Sequence, residues 1–187
     1  MRIIGGKNRG RKIVAPNNLP VRPTTDLGKE SLFNILNNYF YFENVSVLDL
    51  FAGTGNITYE FASRDALNVI AIDNHSACAD FIKKTVQKLE YDNVTVIKND
   101  AFQFVSRCRQ KFDIIFADPP YDLANIEKIV DDVFTNNLLN PSGWLVIEHD
   151  KTHDFSKHSN FFQHRKYGKL NFSFLVQYEK KADPETE

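Results

Sequence analysis

An acid, two prolines and an aromatic residue follow one apolar run of the sequence. In IIFADPPY these residues are Asp118, Pro119, Pro120 and Tyr121. Proline cannot donate to a sheet ladder and moves the preceding residue out of the helical region, so the plain interpretation is a strand stop. The functional interpretation is that Asp118 and the Pro119 carbonyl are held at the carboxyl end of a strand, where open α/β sheets bind ligands, with Tyr121 as an aromatic face. The rest of the chain decides between them.

A glycine turn and three further acids have spacings that favour the functional interpretation. VLDLFAGTGNIT places a predicted strand before Gly53 and Gly55 and a predicted helix after them, so a ligand can approach the backbone at a helix amino terminus. Three predicted strands end at or near Asp49, Asp73 and Asp100. Asp73 follows Gly53 by about 20 residues, the separation at which an acid reaches ribose hydroxyls in dinucleotide-binding sheets. For any one acid, a capping or turn role is the simpler hypothesis.

Together the four acids describe a crevice rich in carboxylates and without a phosphate cradle. No Walker lysine accompanies the glycines, and the pair departs from GxGxxG. A ligand with hydroxyls, amines and positive charge fits such a crevice better than a pyrophosphate does. S-adenosylmethionine has these features and is the predicted cofactor.

Short apolar runs alternate with longer amphipathic ones over most of the chain. The predicted strands are 45–50, 68–73, 94–98, FDIIFAD and GWLVIEH, and the predicted helices lie in DLGKESLFNILNNYF and at 56–64, 75–90 and 123–136. Such alternation predicts a parallel sheet with helices on both faces. The last apolar segments, FFQHRKYG and NFSFLVQY, predict a terminal hairpin at the sheet edge, joined near Gly168.

The bulk composition predicts one domain of ordinary size. With 187 residues and 42% hydrophobic content, the chain is expected to form a core at 24–178, after an arm at 1–23 and before a polar tail at 179–187. A formal net charge of -1 excludes a general electrostatic affinity for nucleic acid. No signal-peptide pattern or bilayer-length apolar run is present, and Cys78 and Cys108 form no CxxC pattern. We therefore expect a cytoplasmic monomer without disulfide, metal or membrane association.

The amino-terminal segment is strongly basic. Before the first acid, Asp26, it carries six cations, which are Arg2, Lys7, Arg9, Arg11, Lys12 and Arg22. Its glycines break any helical period, and a small hairpin of 2–4 against 12–15 is predicted. A run of cations is usually a solvated surface, but this local imbalance in an otherwise neutral protein is suited to phosphate contacts.

The motifs, taken in order, resemble those of a known enzyme class. DLFAGTGN, AID, NDA and DPPY are similar to the motifs of class I S-adenosylmethionine-dependent methyltransferases that modify exocyclic amino groups. With RIIGGKNRGRKI, RPTTD and SLFNIL before them, the chain to about Tyr178 resembles the bacterial 16S ribosomal RNA guanine-N2 methyltransferase family of the RsmD type. The resemblance implies a seven-stranded, mostly parallel Rossmann-like sheet with a C-terminal antiparallel hairpin. It also implies methyl transfer to N2 of a guanine in 16S rRNA, within an assembled or assembling 30S subunit.

The resemblance further implies a role for each motif residue. The cofactor-binding set is Asp49, Phe51, Ala52, Gly53, Thr54, Gly55, Asp73, Asp100 and Ala101. Within it, Asp49 and the glycines serve the methionine end, Asp73 the ribose, and Asp100 with Ala101 the adenine. The catalytic set is Asp118, Pro119, Pro120 and Tyr121, in which Asp118 and the Pro119 carbonyl accept from the target amine and Tyr121 stacks on an extruded base. The RNA-binding set is the six cations of the arm.

Some positions depart from the family pattern. Asp73 stands where the family usually has Glu, and Leu27, Gly28 and Lys29 stand where Arg-Val-Arg is common after RPTTD. The second change removes one cation and replaces a potentially bidentate Arg by Lys, so RNA or cofactor contacts from that turn are an open question. Asn56 and Thr58 also replace small or apolar residues beside the cofactor loop.

Other functions remain as alternatives at this stage. A DNA adenine-N6 methyltransferase shares DPPY but usually carries a separate target-recognition segment, for which the chain has no room. A noncatalytic RNA-binding assembly factor could keep the fold, although the intact Asp118 argues against it. His149 and His153 lack a third ligand nearby, so no metal site is predicted. The target nucleotide, and the choice between naked RNA and a 30S particle, are not determined by the sequence.

Overall fold

A computed structural model describes residues 1–16, 19, 26–123, 125–168 and 170–178. Its helices are α1 (Asp26–Leu36), α2 (Asn56–Ser63), α3 (Ser76–Lys88), α4 (Ala101–Arg107) and α5 (Ile126–Thr135), with a 3-10 turn at Phe42–Asn44. Its strands are β1 (Ser46–Leu50), β2 (Asn68–Asp73), β3 (Val94–Lys98), β4 (Phe112–Ala117), β5 (Leu139–His149), β6 (Phe161–Tyr167) and β7 (Leu170–Val176). Residues 20–25, which directly precede the first residue of α1, Asp26, lie outside the described residues.

The strands form one seven-stranded sheet in the order β3-β2-β1-β4-β5-β7-β6. The pairs from β3 to β5 are parallel, while β7 is antiparallel to both β5 and β6. The predicted parallel sheet and terminal hairpin are therefore confirmed, with β7 rather than β6 next to β5. The chain reverses its direction across the sheet between β1 and β4, and ligands of open α/β sheets bind at such a switch point, beyond the carboxyl ends of the strands.

Helices cover both faces of the sheet. Because strand side chains alternate between faces, consecutive residues belong to different apolar clusters. On one face α1 and α2 pack over Val47, Phe116 and Val146. On the other face α4 and α5 pack over Leu48, Ile115 and Ile147. Cys78 and Trp144 are both buried in the interior.

Two elements differ from the sequence prediction. Strand β5 begins at Leu139 rather than Gly143, because Leu139 pairs with Phe112 ahead of a register shift in β4. The segment NPSG reads as a turn, yet it continues the strand through Ser142 at a φ of 61°. Helix α4, which the sequence analysis did not predict, is seven residues long and is capped by Asp100. Its apolar pattern is too short to identify a helix by periodicity.

The amino-terminal arm is docked rather than free. Only one bridge, Arg2 to Lys12, joins the two segments of the predicted hairpin. Ile3 and Ile13 are buried in a cluster with α2 and α3 residues. The Lys7 amide donates to the Ser63 carbonyl over 2.7 Å. Gly6 lies so close to Ser63, at a φ of +71°, that any Cβ would overlap the Ser63 carbonyl, so this turn requires glycine.

A buried ion pair connects the arm to the core. Lys29 of α1 and Glu60 of α2 have no exposed surface, and Lys29 Nζ lies 3.4 Å from Glu60 Oε2. Lys29 also donates to Asn56 Oδ1 and to the Arg2 carbonyl, while the Ile4 amide donates to Glu60. Burial lowers the pKa of Lys29, against the opposing effect of Glu60. The structure thus places Lys29, which departs from the family pattern, in the interior beneath the arm.

Candidate functional site

One large cavity opens at the carboxyl ends of β1, β2, β4 and β5. Its volume is about 1100 Å³. Its lining includes these residues of the predicted cofactor and catalytic sets: Asp49, Phe51, Ala52, Gly53, Thr54, Asp73, Asp100, Ala101, Asp118, Pro119, Pro120 and Tyr121. Typical small-molecule sites have volumes of roughly 300 to 1,000 Å³, so this cavity has room for a cofactor and part of a second ligand.

Asp49 is the most buried acid of the cavity. It lies on β1, is 1% exposed and accepts from the Thr58 hydroxyl on α2. Burial raises the pKa of Asp49 to about 7; the Thr58 hydrogen bond opposes this, and the negative charges of Asp118 and Asp73 add to it. A cation bound beside Asp49 would relieve these costs, because an opposite charge favours the ionised carboxylate. Thr58, noted as a departure from the family pattern, therefore has a defined partner.

The glycine turn between β1 and α2 is held by Asp73. The Gly53 amide donates to Asp73 Oδ2 over 2.7 Å, and the His75 amide donates to Oδ1 over 2.8 Å. A carboxylate has further lone pairs, so Asp73 can still accept from a ligand hydroxyl. Burial raises the pKa of Asp73, while its bonds to His75 and Gly53 lower it. The short side chain therefore fixes the loop as well as lining the cavity.

Gly55 has a different position from the other predicted cofactor residues. It is the N-cap residue of α2 at a φ of 79°, and a Cβ there would lie 2.5 Å from Tyr59 Cζ. Its requirement for glycine comes from this turn and from Tyr59 packing beneath it. The cavity lining passes from Thr54 to Asn56.

Asp100 caps α4 where β3 ends. Its Oδ1 accepts from the Gln103 amide over 2.9 Å, and its own amide donates to Asn99 Oδ1. The capping role considered for single acids is therefore confirmed for Asp100. Asp100 and Ala101 also line the cavity, so the cap and a ligand contact are compatible.

The DPPY segment begins directly after β4. The Asp118 amide donates to the Leu50 carbonyl over 3.5 Å, which joins the segment to β1. Pro119 is buried, while Tyr121 is 52% exposed at the cavity rim. An exposed ring at the mouth of a cavity is suited to stacking on an incoming planar group.

A further acid of this cavity, Glu148, was not in the predicted site. It lies on β5, is 3% exposed and lines the same cavity. Burial, and then the negative charge of Asp118, raise the pKa of Glu148 to about 8. The segment GWLVIEH contained the signal, because an acid within an otherwise apolar buried strand requires an explanation.

The five described cations of the predicted RNA-binding set lie outside the cavity. Arg2 is 3.5 Å from Asp26, and Lys7 is 2.9 Å from Asp65 and lies over the Tyr91 ring. The exposed cations of the arm without an ion pair to a described residue are Arg9, Arg11 and Lys12. Arg22 lies outside the described residues. At the cavity itself, the exposed Lys151 and Lys166 contribute positive charge to the rim.

The two neighbouring histidines have hydrogen-bonding partners. His149 Nε2 is 2.8 Å from the Ser173 hydroxyl, and His153 Nδ1 is 2.7 Å from Glu127. Across the described ranges, no group of three or more His, Cys, Asp or Glu side chains is arranged to hold a metal ion. Within the same part of the chain, no helix has the length and apolar character needed to cross a bilayer.

Solved structures with this fold include methyltransferases. A putative methyltransferase from Escherichia coli superimposes with a TM-score of 0.84 at 27% identity, over 96% of this chain and 99% of that chain. A putative methyltransferase complexed with SAH gives a TM-score of 0.64 at 16% identity, over 82% of this chain and 50% of that chain. The second likeness concerns the fold alone. The predicted class I methyltransferase fold is thereby confirmed.

The sequence comparisons identify the family. The family model described as Conserved hypothetical protein 95 matches residues 1–176. The Escherichia coli protein named ribosomal RNA small subunit methyltransferase D is 34% identical over 148 residues, which cover 79% of this chain and 71% of that protein. The region that the family model matches contains the described residues of the arm and the residues that line the cavity. These matches confirm the predicted resemblance to the RsmD type of methyltransferase. The chain therefore belongs to the Conserved hypothetical protein 95 family.

Proposed function

We propose that this protein transfers a methyl group from S-adenosylmethionine to the exocyclic N2 of a guanine in 16S rRNA of the small ribosomal subunit. The observation that carries the proposal is the placement of Asp118 and Pro119 at the carboxyl end of β4, in one cavity with Asp49 and the Gly53 loop. The names of the relatives support rRNA as the substrate class. The choice of guanine N2 as the methylated atom comes from the resemblance of the motifs.

The residues of the cavity fit the cofactor. S-adenosylmethionine supplies an electrophilic methyl group on a positive sulfonium. Asp49 complements that positive charge, because its buried carboxyl gains from a nearby cation. Asp73 and Asp100 offer acceptors for ribose hydroxyls and the adenine edge further along the strand ends. SAH, the product of methyl transfer, occupies a protein of the same fold.

The reacting amine requires activation by position. The lone pair of guanine N2 is delocalised into the ring, so the free amine is a poor nucleophile. Acceptors at Asp118 and the Pro119 carbonyl would hold both N2 hydrogens and aim the lone pair at the methyl carbon. As the N–C bond forms, the C–S bond breaks, the sulfur keeps that electron pair, and N2 loses a proton. Asp118 stabilises the developing positive charge and accepts the proton directly or through water.

The reaction is tested by transfer of labelled methyl to 16S RNA and to 30S particles from a strain that lacks the enzyme. Mass mapping of the product should show N2-methylguanosine. Asp118→Asn should reduce kcat by about 100- to 10,000-fold, because it removes the charge while retaining the shape. Asp122→Asn, the same change at an exposed position, is the matched control and should leave the rate unchanged.

The other outcomes separate the alternatives. Labelled N6-methyladenine in duplex DNA, with unlabelled RNA, would replace the proposal by a DNA adenine methyltransferase. Absence of labelling of any nucleic acid, under conditions where S-adenosylmethionine raises the thermal stability, would favour the assembly factor. Ligand at a hundredfold excess over Kd should add about 2.7 kcal/mol to the free energy of unfolding.

We also propose that the substrate is an assembled or assembling 30S particle. The arm offers few phosphate contacts, so proteins on the particle would have to supply the remaining affinity. Equal kcat/KM on stripped 16S RNA and on 30S particles would contradict this. The monomeric state and the cytoplasmic location remain predictions, which sedimentation and cell fractionation would test.

A further inference from the structure

Glu148 continues the row of the sheet that carries Asp118. Ala117 of β4 pairs with Ile147 of β5 in parallel register, so the residues that follow them are neighbours. Ala117 and Ile147 both belong to the cluster beneath α4 and α5. Because side chains alternate along a strand, Glu148 faces the opposite side, which α1 covers. Asp118 follows the last residue of β4, and its charge acts on Glu148. Phe172, the partner of Glu148 on β7, belongs to the cluster on that side.

The Glu148 carboxyl is buried without satisfying its hydrogen-bonding capacity. Its side chain lines the cavity, yet Oε2 is buried and accepts no hydrogen bond from any described residue. A buried polar atom without a partner is destabilising and is rare in native proteins. A ligand in the cavity that bonds to this carboxyl would remove that cost. None of the predicted cofactor-binding residues belongs to β5, the strand that carries Glu148.

We propose that Glu148 binds the ring edge of the target guanine, at N1–H and O6, beside the amino group that Asp118 holds. This inference rests on the proposed function. Guanine presents N2–H, N1–H and O6 side by side along one edge. Asp118 and Glu148 follow the paired residues Ala117 and Ile147 of two neighbouring strands, so they can meet adjacent groups of that edge. A carboxylic acid matches the cis N–H and C=O of this edge, since its carbonyl accepts from N1–H and its hydroxyl donates to O6.

The surroundings of Glu148 favour the neutral form of its carboxyl. Burial and the Asp118 charge raise its pKa to about 8. Asp49 on β1 lies one row deeper, α1 contributes Leu27 to the lining, and β7 contributes Leu170 and Asn171. Phe172 of β7 is the strand partner of Glu148. Arg165 of β6 is exposed beyond Phe172, and Lys151 and Lys166 are exposed at the rim. The upward shift of the pKa favours the neutral form, which carries the hydroxyl donor that the proposed contact to O6 uses.

Two substitutions at Glu148 test the proposal through kinetics. Glu148→Met removes the polar edge at similar volume and should lower kcat/KM for the RNA by about 10- to 100-fold, with the Kd of S-adenosylmethionine unchanged. Glu148→Gln keeps an acceptor and a donor, so its kcat/KM for the RNA should stay within about fivefold of the wild-type value. Glu30→Gln, at an exposed position of α1, is the matched control. The ratio of the wild-type kcat/KM to the kcat/KM of Glu148→Gln should fall above pH 8, because the ionised wild-type carboxyl has lost its hydroxyl donor.

A binding experiment separates this inference from the proposed function. Guanosine and 2-aminopurine riboside both carry the 2-amino group, but 2-aminopurine lacks O6 and N1–H. In the presence of SAH, the wild type should bind guanosine more tightly than 2-aminopurine riboside in an NMR titration, and Glu148→Met should lose this preference. That result supports the subsite even if no rRNA is methylated.

Several results would overturn the inference. Unchanged kcat/KM in Glu148→Met would show that the carboxyl does not contact the base. A parallel loss of S-adenosylmethionine affinity would assign Glu148 to the cofactor. Inactivity of Glu148→Gln, equal to that of Glu148→Met, would show that an ionised carboxylate is required.

Discussion

At the scale of single residues, the cavity collects acids whose ionisation is opposed by their surroundings. Burial raises the pKa of both Asp49 and Glu148, and in each case the charge of Asp118 adds to the effect. Perturbed carboxyls concentrate at functional sites, where a ligand offsets their destabilising effect on the free protein. The stability of the ligand-free protein should therefore depend on pH in a way that the ligand changes.

Asp49→Asn should flatten the pH dependence of the free energy of unfolding. In the wild type the folded state binds the Asp49 proton more tightly than the unfolded state, so stability falls as the pH rises from about 4 to 7. Raising a carboxyl pKa from 3.8 to about 7 corresponds to an upper limit on the order of 4 kcal/mol. Asp49→Asn removes this part of the decline, so urea denaturation should find the variant more stable above pH 7.

The same variant should bind S-adenosylmethionine less tightly, because the charge that complements the sulfonium is lost. The thermal shift at saturating ligand should be smaller than in the wild type. Asp92→Asn, at an exposed turn position, is the control and should leave both curves unchanged. A pH dependence in Asp49→Asn identical to that of the wild type would refute the assignment to Asp49.

At the scale of elements, the Lys29–Glu60 pair joins α1, α2 and the arm. Arg64 also bonds to Glu60, with Nη2 3.0 Å from Oε1. Glu60 thus holds two cations and the Ile4 amide at once. Removing one partner of a buried pair leaves an uncompensated charge, which is more destabilising than removing both.

Glu60→Leu should lower the free energy of unfolding by about 3 to 5 kcal/mol, because it leaves the buried Lys29 ammonium without a counter-charge. Lys29→Met should cost less, since Arg64 still pairs with Glu60. Adding Lys29→Met to Glu60→Leu should restore part of the stability. Urea denaturation of the singles and the double mutant measures this coupling.

The matched control for these single and double mutants is the surface pair Lys128–Asp132 of α5. Its removal should change the free energy of unfolding by about 0 to 1 kcal/mol. Release of the arm in Glu60→Leu should also expose Arg9 and Arg11 to faster tryptic cleavage. A double mutant as unstable as the sum of its singles would show that the ions are not coupled.

At the scale of the whole molecule, the arm and the cavity are separate regions with separate expected partners. The protein is nearly neutral overall, so affinity for RNA has to come from local charge. Since Arg9, Arg11 and Lys12 are exposed, they are the arm cations best placed to contact phosphates without first breaking an ion pair.

Replacing Arg9, Arg11 and Lys12 together by Gln should raise KM for the RNA substrate with kcat and S-adenosylmethionine affinity unchanged. The slope of log K against log salt should fall by about 0.7 to 0.9 for each phosphate contact that is lost. Filter binding over a salt series measures this slope. The control replaces Lys83, Lys84 and Lys88 by Gln, which removes the same charge from the exposed face of α3. Equal effects of the two triple variants would show that only net charge matters.

The sequence by itself determined the fold class and the family. Alternating runs gave strands β2 and β3 with their observed bounds, because strand and helix periodicities are local properties of the chain. The spacing of Asp49, Gly53, Asp73 and Asp118 predicted that they share one sheet edge, since parallel strands bring their carboxyl ends together. The cavity contains all four. Their roles toward cofactor and base remain predictions.

Only the tertiary structure decided which side chains meet across the sheet. Lys29 appeared in the sequence as a substitute for an arginine of the family pattern, but it is a buried partner of Glu60, which lies 31 positions further along the chain. Glu148 appeared as one polar residue in an apolar strand, but the pairing of Ala117 with Ile147 brings it near Asp118, where burial and the charge of that residue raise its pKa. Such pairings depend on strand order and helix packing, which connect distant positions and leave no periodic signal in the sequence.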